Sequence, residues 1–338
     1  MQLQRNLDQF TRAGISVFAI SYDPVEAQAA FASQNGITYP LLSDADHKVI
    51  EATGILNRLV DGDAGFNAGG AAQEQAILKV APNPVSDLKE KMGVSLDGIP
   101  YPGSYLIGTD GLVTEKLFYQ HYRTRPSVAT VLRSGFDVDF EVRDNPRAEV
   151  SGDGVQIRAT LGGESMTFME TSTLYVEIEL DAGLHLYGAP VPEGYVATEV
   201  TVTGPDSVET GAAKYPATRP FRVAGLDETF AVFEGALEIA VPLYYVREDF
   251  EHLLARGQFL ANELKDPAAG LVRQLVAHAQ ATRPSEEQAV ELDVSVSYQA
   301  CTDSTCLAPQ TQTLKLSVPI APLDTDIPDL RARLDQNS

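Results

Sequence analysis

Tryptophan is absent from this chain of 338 residues, cysteine occurs only twice and histidine only five times. The histidines are scattered, with no His-x-x-x-His, Glu-x-x-His or Cys/His cluster, so no zinc site is expected. Asp44-Ala45-Asp46 lacks the glycine and the ligand series of a calcium loop and reads as a helix cap. Neither Gly-x-Ser-x-Gly, nor a P-loop, nor a dinucleotide-binding glycine pattern occurs, and Gly69-Gly70 reads as loop; no metal or cofactor is expected. Basic residues are also few, 25 Lys and Arg against 47 Asp and Glu, a formal net charge of -22. The acidic residues are spread along the chain, which opposes binding to nucleic acid or to an anionic membrane, because phosphates attract basic patches. No run approaches the roughly 20 apolar residues of a membrane span. The opening Met1-Gln2-Leu3-Gln4-Arg5-Asn6-Leu7 is polar and amphipathic, unlike a signal peptide.

What the chain does have is a pair of cysteines with four residues between them, in Tyr298-Gln299-Ala300-Cys301-Thr302-Asp303-Ser304-Thr305-Cys306-Leu307-Ala308-Pro309. Leu292, Val294, Val296 and Tyr298 alternate with polar residues before the pair, and Leu314, Leu316 and Val318 alternate after it. Period-two alternation on both sides predicts a β-hairpin with the cysteines at its mouth. The ends of such a loop lie roughly 5–6 Å apart at Cα, within disulfide reach. Cross-linking so short a loop removes little chain entropy, about 2 kcal/mol at most, and a chain of this size does not need that staple. The pair suits a reversible dithiol; a static hairpin disulfide and two idle thiols are the alternatives.

Length suggests two domains, and the pattern changes character near Phe136. Before it, helix and strand alternate. Leu3, Leu7 and Phe10 mark a helix ending near Gly14, and residues 15–20 read as a compact buried strand. Asp23, Pro24 and Glu26 look like the cap, first residue and capping box of a helix anchored by Phe31. Asp44 caps a short helix carrying Val49 and Ile50 and ended by Gly54. A less regular stretch, 57–98, holds a Gly/Ala-rich tip and helical pieces near 76–80 and 85–92. Strands at 104–108 and 113–119 flank the turn Thr109-Asp110-Gly111, and a last helix runs over about 126–133. Beyond it strands dominate. Leu174, Val176, Ile178 and Leu180 alternate with polar residues, as do Leu237, Ile239, Val241 and Leu243, the pattern of half-buried sandwich strands. A helical insertion carries Phe250, Leu253, Leu254, Leu260 and Leu264, then Leu271, Val272, Leu275 and Val276 after the Asp266-Pro267 cap. It reads as a satellite core rather than a docking surface. The polar end beyond Pro322 reads as a tail.

Several of these residues carry resemblances. The cysteine segment 298–309 resembles the active-site motif of the N-terminal, immunoglobulin-like domain of the thiol:disulfide interchange protein DsbD. Gly183-Leu184-His185-Leu186-Tyr187 resembles the strand that lays aromatic residues beside the cysteines, with His185 where that family often has tyrosine. Leu226-Asp227-Glu228-Thr229-Phe230 resembles its acidic-aromatic cap loop. The N-terminal part is similar to thioredoxin-like domains of the AhpC/TSA, peroxiredoxin type, on residues 13–21, 37–44 and 99–111. Pro102 matches that family's cis-proline.

The resemblances imply a multidomain α/β plus all-β protein. A thioredoxin-like domain lacking its first strand (1–136) precedes an immunoglobulin-like β-sandwich (137–321), which has a helical insertion at about 247–284; a polar tail follows (322–338). They imply a thiol–disulfide oxidoreductase passing electrons through Cys301 and Cys306, with Cys306 the exposed sulfur that forms mixed disulfides and Cys301 the one that resolves them. Phe230 would cover the pair, and Tyr187, His185, Asp227 and Glu228 would shield or tune it. The implied partners are thioredoxin-like redox proteins and oxidised protein substrates, and the implied location is periplasmic or otherwise extracytoplasmic. In the AhpC/TSA pattern the catalytic cysteine falls at the start of the first helix, after a central strand. The expectation is therefore that the natural reading frame extends upstream of Met1. A non-catalytic binding module with a structural disulfide, and the remnant of a thiol peroxidase, are the alternative functions.

Overall fold

The computed structural model describes residues 2–56, 100–119, 124–140, 144–222, 229–247, 257–258, 261–262, 268–281 and 287–322. By its contacts the chain divides into two units: Met1–Val128 with Glu248–Glu286 and Leu323–Ser338, and Ala129–Arg247 with Glu287–Pro322.

In the first unit, the helices Gln2–Arg5 and Leu7–Arg12 bury Phe10, whose carbonyl accepts the Ile15 N–H. The strand Ala19–Ser21 pairs in parallel with Leu41–Ser43, and the helix Val25–Asn35 joins them. That helix starts from an extended Pro24 with no side-chain cap, while Asp23 accepts the Ser21 hydroxyl instead. The first strand is shorter and more open than its apolar run predicts. Phe18 and Ile20 are 59% and 42% exposed, and Phe31, the expected anchor, is 40% exposed. The helix is tied to the strands through buried Gln28, whose amide donates to Ser21 Oγ and to the Leu42 carbonyl, so Phe31 is not the docking residue. The Asp44 cap forms as expected: its two carboxylate oxygens accept the Val49 and Ile50 N–H groups at 3.0 and 2.8 Å, and Gly54 closes the helix Lys48–Thr53 in the left-handed region. The hairpin Gly103–Ile107 with Val113–Phe118 also forms, with Asp110 accepting the Leu112 N–H across its turn.

The cis peptide expected at Pro102 is not there; the one among the described residues is Ala189–Pro190. Pro100 bridges Leu56 and the Tyr101 N–H donates to the Ile55 carbonyl, which holds the segment extended into the hairpin. Extended backbone is what a residue before proline favours, and a trans bond satisfies it.

Of the helical insertion, the helix Ala268–Ala281 is described, with Ala269 and Val272 buried together with Ala261, and Leu275 and Val276 packed against them. Phe250, Leu253, Leu254, Leu260, Leu264 and the Asp266-Pro267 cap lie outside the described residues, as do 57–98 and the tail. Among the described residues no helix is long and apolar enough to cross a membrane.

The second unit is mostly strand. One sheet runs Val208–Thr210, Ala236–Tyr245, Glu170–Leu180, Val155–Leu161, Arg147–Gly152, and another runs Glu199–Thr203, Ala289–Tyr298, Gln310–Ala321, Met166–Thr167. Alternate residues of both, among them Ile157, Val176, Ile239, Leu292, Val294 and Leu316, share one core, the inward half of the period-two pattern. The registers follow that pattern, for example Ile239 opposite Val176 and Leu292 opposite Leu316. The helix Val128–Phe136 meets this sheet's outer face. Thr130 bonds Thr173, Ser134 bonds the Tyr175 hydroxyl, and Arg133 lies over the Tyr175 ring while pairing with Glu177, Glu238 and Asp139.

A third, smaller sheet positions the site. Its order is Arg219–Arg222, Thr229–Glu234, His185–Tyr187, Ala300–Cys301. Three of these four are continuations of long sandwich strands. Glu170–Leu180 leads through Gly183 (φ 87°) into His185–Tyr187, Thr229–Glu234 turns at Gly235 (φ 72°) into Ala236–Tyr245, and Ala289–Tyr298 passes Gln299 into Ala300–Cys301. A side chain at either glycine would meet the left-handed backbone penalty. The sheet therefore has one face, with Leu186, Phe233 and Ala300, in the sandwich core, and a second face bearing Tyr187, Phe230, Val232 and Cys301.

Candidate functional site

The expected hairpin is present. Ala289–Tyr298 pairs with Gln310–Ala321, and at its mouth Cys301 bridges Cys306 across a tight turn. The Thr302 N–H donates to the Thr305 carbonyl and the Leu307 N–H to the Ala300 carbonyl, both at 2.8 Å, so the cysteines form the non-hydrogen-bonded pair between two bonded ones. That class of antiparallel pair brings backbones closest, and the Cα atoms are 4.0 Å apart, nearer than the loop length alone predicts. The turn is held by Thr302, whose hydroxyl accepts the Thr305 N–H at 3.1 Å. The two sulfurs are joined as a disulfide.

The two halves of this disulfide differ in environment. Cys301 is 0% exposed, at the end of a buried edge strand, whereas Cys306 is exposed along with its whole loop, 302–309. Tyr187, 1% exposed, places its hydroxyl 3.6 Å from Cys306 Sγ. Burial pushes the Tyr187 phenol up from its ordinary range, with the neighbouring Tyr195 adding to it, so the group stays a protonated donor.

Around Cys301 the exposed-looking sequence closes into an aromatic cluster. The Tyr187 ring meets Phe230 at 5.4 Å and Tyr195 at 5.1 Å, and Tyr195 meets Phe230 at 5.0 Å between centroids. Phe230 is 3% exposed and packs with Tyr187, Val232 and Cys301. Phe221 lies opposite Phe230 in register and stacks on His185, ring centroids 4.3 Å apart.

His185 is the register partner of Cys301 and is 2% exposed. A lone strand histidine is ordinarily a hydrogen-bonded filler, yet its Nε2 has no partner here. Burial lowers its pKa below the usual imidazole value, against the opposing pull of Asp303 and Glu234. Asp227 and Glu228 lie outside the described residues. Pro102 belongs to the other unit.

Sequence reasoning did not single out Tyr195, Phe221, Asp303 or Gln299. Gln299 accepts the Val196 N–H and donates to the Leu307 carbonyl, tying two loops beside the disulfide. Phe221 lies in Arg219-Pro220-Phe221-Arg222, a segment without the period-two alternation that marks a half-buried strand. Tyr195 sits in a Pro/Gly loop with no periodicity to read. Among the described residues no group of three or more His, Cys, Asp or Glu is arranged to hold a metal ion.

Chemically, an exposed sulfur bonded to a buried one gives an incoming thiolate a single open point of attack.

Residues 1–116 match the model of the AhpC/TSA family. The chain is similar to a putative peroxiredoxin of Mycobacterium tuberculosis, 49% identical over 49 residues, 14% of this chain and 31% of that protein. It is also similar to peroxiredoxin Bcp of Escherichia coli, 40% identical over 53 residues, 16% of this chain and 34% of that protein. The chain thus spans about a third of the length of these curated relatives. Among solved structures, the N-terminal periplasmic domain of ScsB from Proteus mirabilis aligns with a TM-score of 0.31 and 16% identity, covering 51% of each chain. The N-terminal domain of DsbD from Neisseria meningitidis, in the reduced form, aligns with a TM-score of 0.24 and 11% identity, covering 52% of this chain and 85% of that one.

Proposed function

We propose that this protein is a thiol–disulfide oxidoreductase whose Cys301–Cys306 pair relays two electrons between protein dithiols outside the cytoplasm. The carrying observation is the asymmetry of the disulfide: Cys301 is 0% exposed, while Cys306 is open and touched by the Tyr187 hydroxyl. A partner thiolate attacks Cys306 Sγ, the Cys301–Cys306 bond breaks, and Cys301 leaves as a thiolate that takes up a proton. The partner's second thiol, once deprotonated, attacks the partner's own sulfur in the mixed disulfide; Cys306 leaves as a thiolate and the partner departs as a disulfide, so Cys301 and Cys306 hold the two electrons. The reverse sequence passes them to an oxidised protein. Phe230 and Tyr187 keep solvent off the buried sulfur between encounters. The resemblance implies that Asp227 and Glu228 would shield or tune the pair with them.

The partners in this reading are thioredoxin-like proteins and oxidised protein substrates. The AhpC/TSA match over residues 1–116 supports thiol chemistry as the chain's common theme.

Redox titration against glutathione or dithiothreitol buffers, with thiols trapped by alkylation, tests the proposal. The expected midpoint lies above about -300 mV, the range of exchanging rather than structural disulfides. The reduced protein should also reduce insulin or a scrambled disulfide protein, and Cys306→Ser should abolish that transfer. A midpoint below that range with no transfer from the wild type would mean a structural staple on a binding module.

A further inference from the structure

We propose that His185 is the proton acceptor that makes the Cys301 thiol nucleophilic when it resolves a mixed disulfide at Cys306. The inference rests on the exchange reading above and names how the buried half of the pair is activated. In that step Cys301–SH gives its proton to the imidazole and attacks Cys306 Sγ. The bond from Cys306 to the substrate sulfur breaks, and the substrate leaves as a thiolate that solvent protonates. The imidazolium later returns its proton to water.

The problem to be solved follows from burial. A thiol with no solvent exposure, among Tyr187, Phe230 and Val232, has no water to take its proton, and an apolar surround raises the cost of the thiolate. His185 is directly opposite Cys301 in the antiparallel register, so the two side chains stand on the same face; directly opposed Cβ atoms lie about 4.5–5.5 Å apart. Its ring is held by Phe221 on one side and by an edge contact with Tyr187 at 5.6 Å. Its Nε2 is buried without a hydrogen-bond partner, a cost that a purely structural filler has no reason to carry.

The charged groups around it fit the task. Asp303 comes from the turn beyond Cys301, and Glu234 is the histidine's register partner on the strand Thr229–Glu234. Glu234 is itself paired at 3.8 Å with Arg219 from the outermost strand. Both carboxylates favour the imidazolium once it forms, while burial keeps the resting ring neutral and able to accept a proton. Tyr187, on the histidine's own strand, is a raised phenol and serves only as a donor. Asp227 and Glu228 lie outside the described residues.

The test uses the full chain, reduced and freed of reductant, mixed with 5,5′-dithiobis(2-nitrobenzoate) in a stopped-flow spectrophotometer. The chain has only two cysteines, so both released equivalents of thionitrobenzoate belong to this pair. The first phase, attack by Cys306, depends on reagent concentration. The second, resolution by Cys301, does not. In the wild type the second-phase rate is expected to level off above the histidine range. In His185→Gln it should fall on the order of 100-fold or more at pH 7 and climb with pH into the thiol range, about 8.5 or higher, with the first phase little changed.

A folded His185→Gln variant with the wild-type second phase and pH profile overturns the proposal. So does a wild-type profile that climbs to the thiol range with no inflection near neutrality, a result that needs no variant. A wild type that stalls at the mixed disulfide sinks the exchange reading itself, whereas a wild type that resolves normally alongside an unchanged variant sinks the histidine's role alone.

Discussion

Cys301 and Cys306 occupy one backbone bridge but two environments, and that difference makes their substitutions separable. Cys306→Ser removes the open sulfur and should stop all exchange, read by loss of insulin reduction. Cys301→Ser should keep the open sulfur and accumulate a stable mixed disulfide with a thioredoxin-like partner, visible on non-reducing gels. His185 adds a signature in stability. Its native pKa is depressed by burial, so between that value and about 6.5 the unfolded chain binds a proton that the native chain refuses. Stability should therefore fall as pH drops through about 6.5 and level off below the native pKa, and His185→Gln should flatten that slope in urea titrations. Of these three residues, the cysteines were readable from spacing alone. His185 was placed by resemblance, and its missing hydrogen bond was invisible, because satisfaction of a polar atom depends on what surrounds it in space.

At the scale of elements, the site is made by strands that leave the sandwich. The alternating runs at Glu170–Leu180, Ala236–Tyr245 and Ala289–Tyr298 were legible because one buried face leaves a period-two trace. Two of their continuations into the small sheet, His185–Tyr187 and Ala300–Cys301, were not, since two or three residues carry no period. Phe230 closes the cluster over Cys301 from the third, the six-residue strand Thr229–Glu234. Phe230→Ala should cost about 3–5 kcal/mol, as for other buried phenylalanines. In the reduced protein it should also speed alkylation of Cys301 well beyond that of Cys306; equal rates before and after substitution would remove the shielding role. The strand at Ala19–Ser21 shows the opposite failure: its apolar run predicted burial, but Ile20 and Phe18 are open because burial is set by neighbours rather than by the run itself.

For the whole molecule, the disulfide is not what holds the second unit together. The shared core contains fully buried Ile157, Val176, Ile239 and Leu292, and the cross-link closes a separation of only five residues. Reduction should lower the stability of that unit by about 2 kcal/mol and leave it folded, whereas Leu292→Ala should cost about 2–5 kcal/mol. Urea denaturation with and without reductant compares the two. Unfolding on reduction would assign the bond a structural duty. Composition alone determined that this chain is acidic and poor in histidine and cysteine, and local pattern determined the strands, the Asp44 cap and the cysteine hairpin. These are properties of neighbours in sequence. Tertiary structure alone decided that Cys301 is sealed and Cys306 open, that Phe221, Tyr195 and Asp303 join the site, and that Arg133 gathers Glu177, Glu238 and Asp139. The reason is physical. Exposure, ring stacking and charge pairing arise between segments brought together by the register of distant strands, and no window along the chain contains both partners.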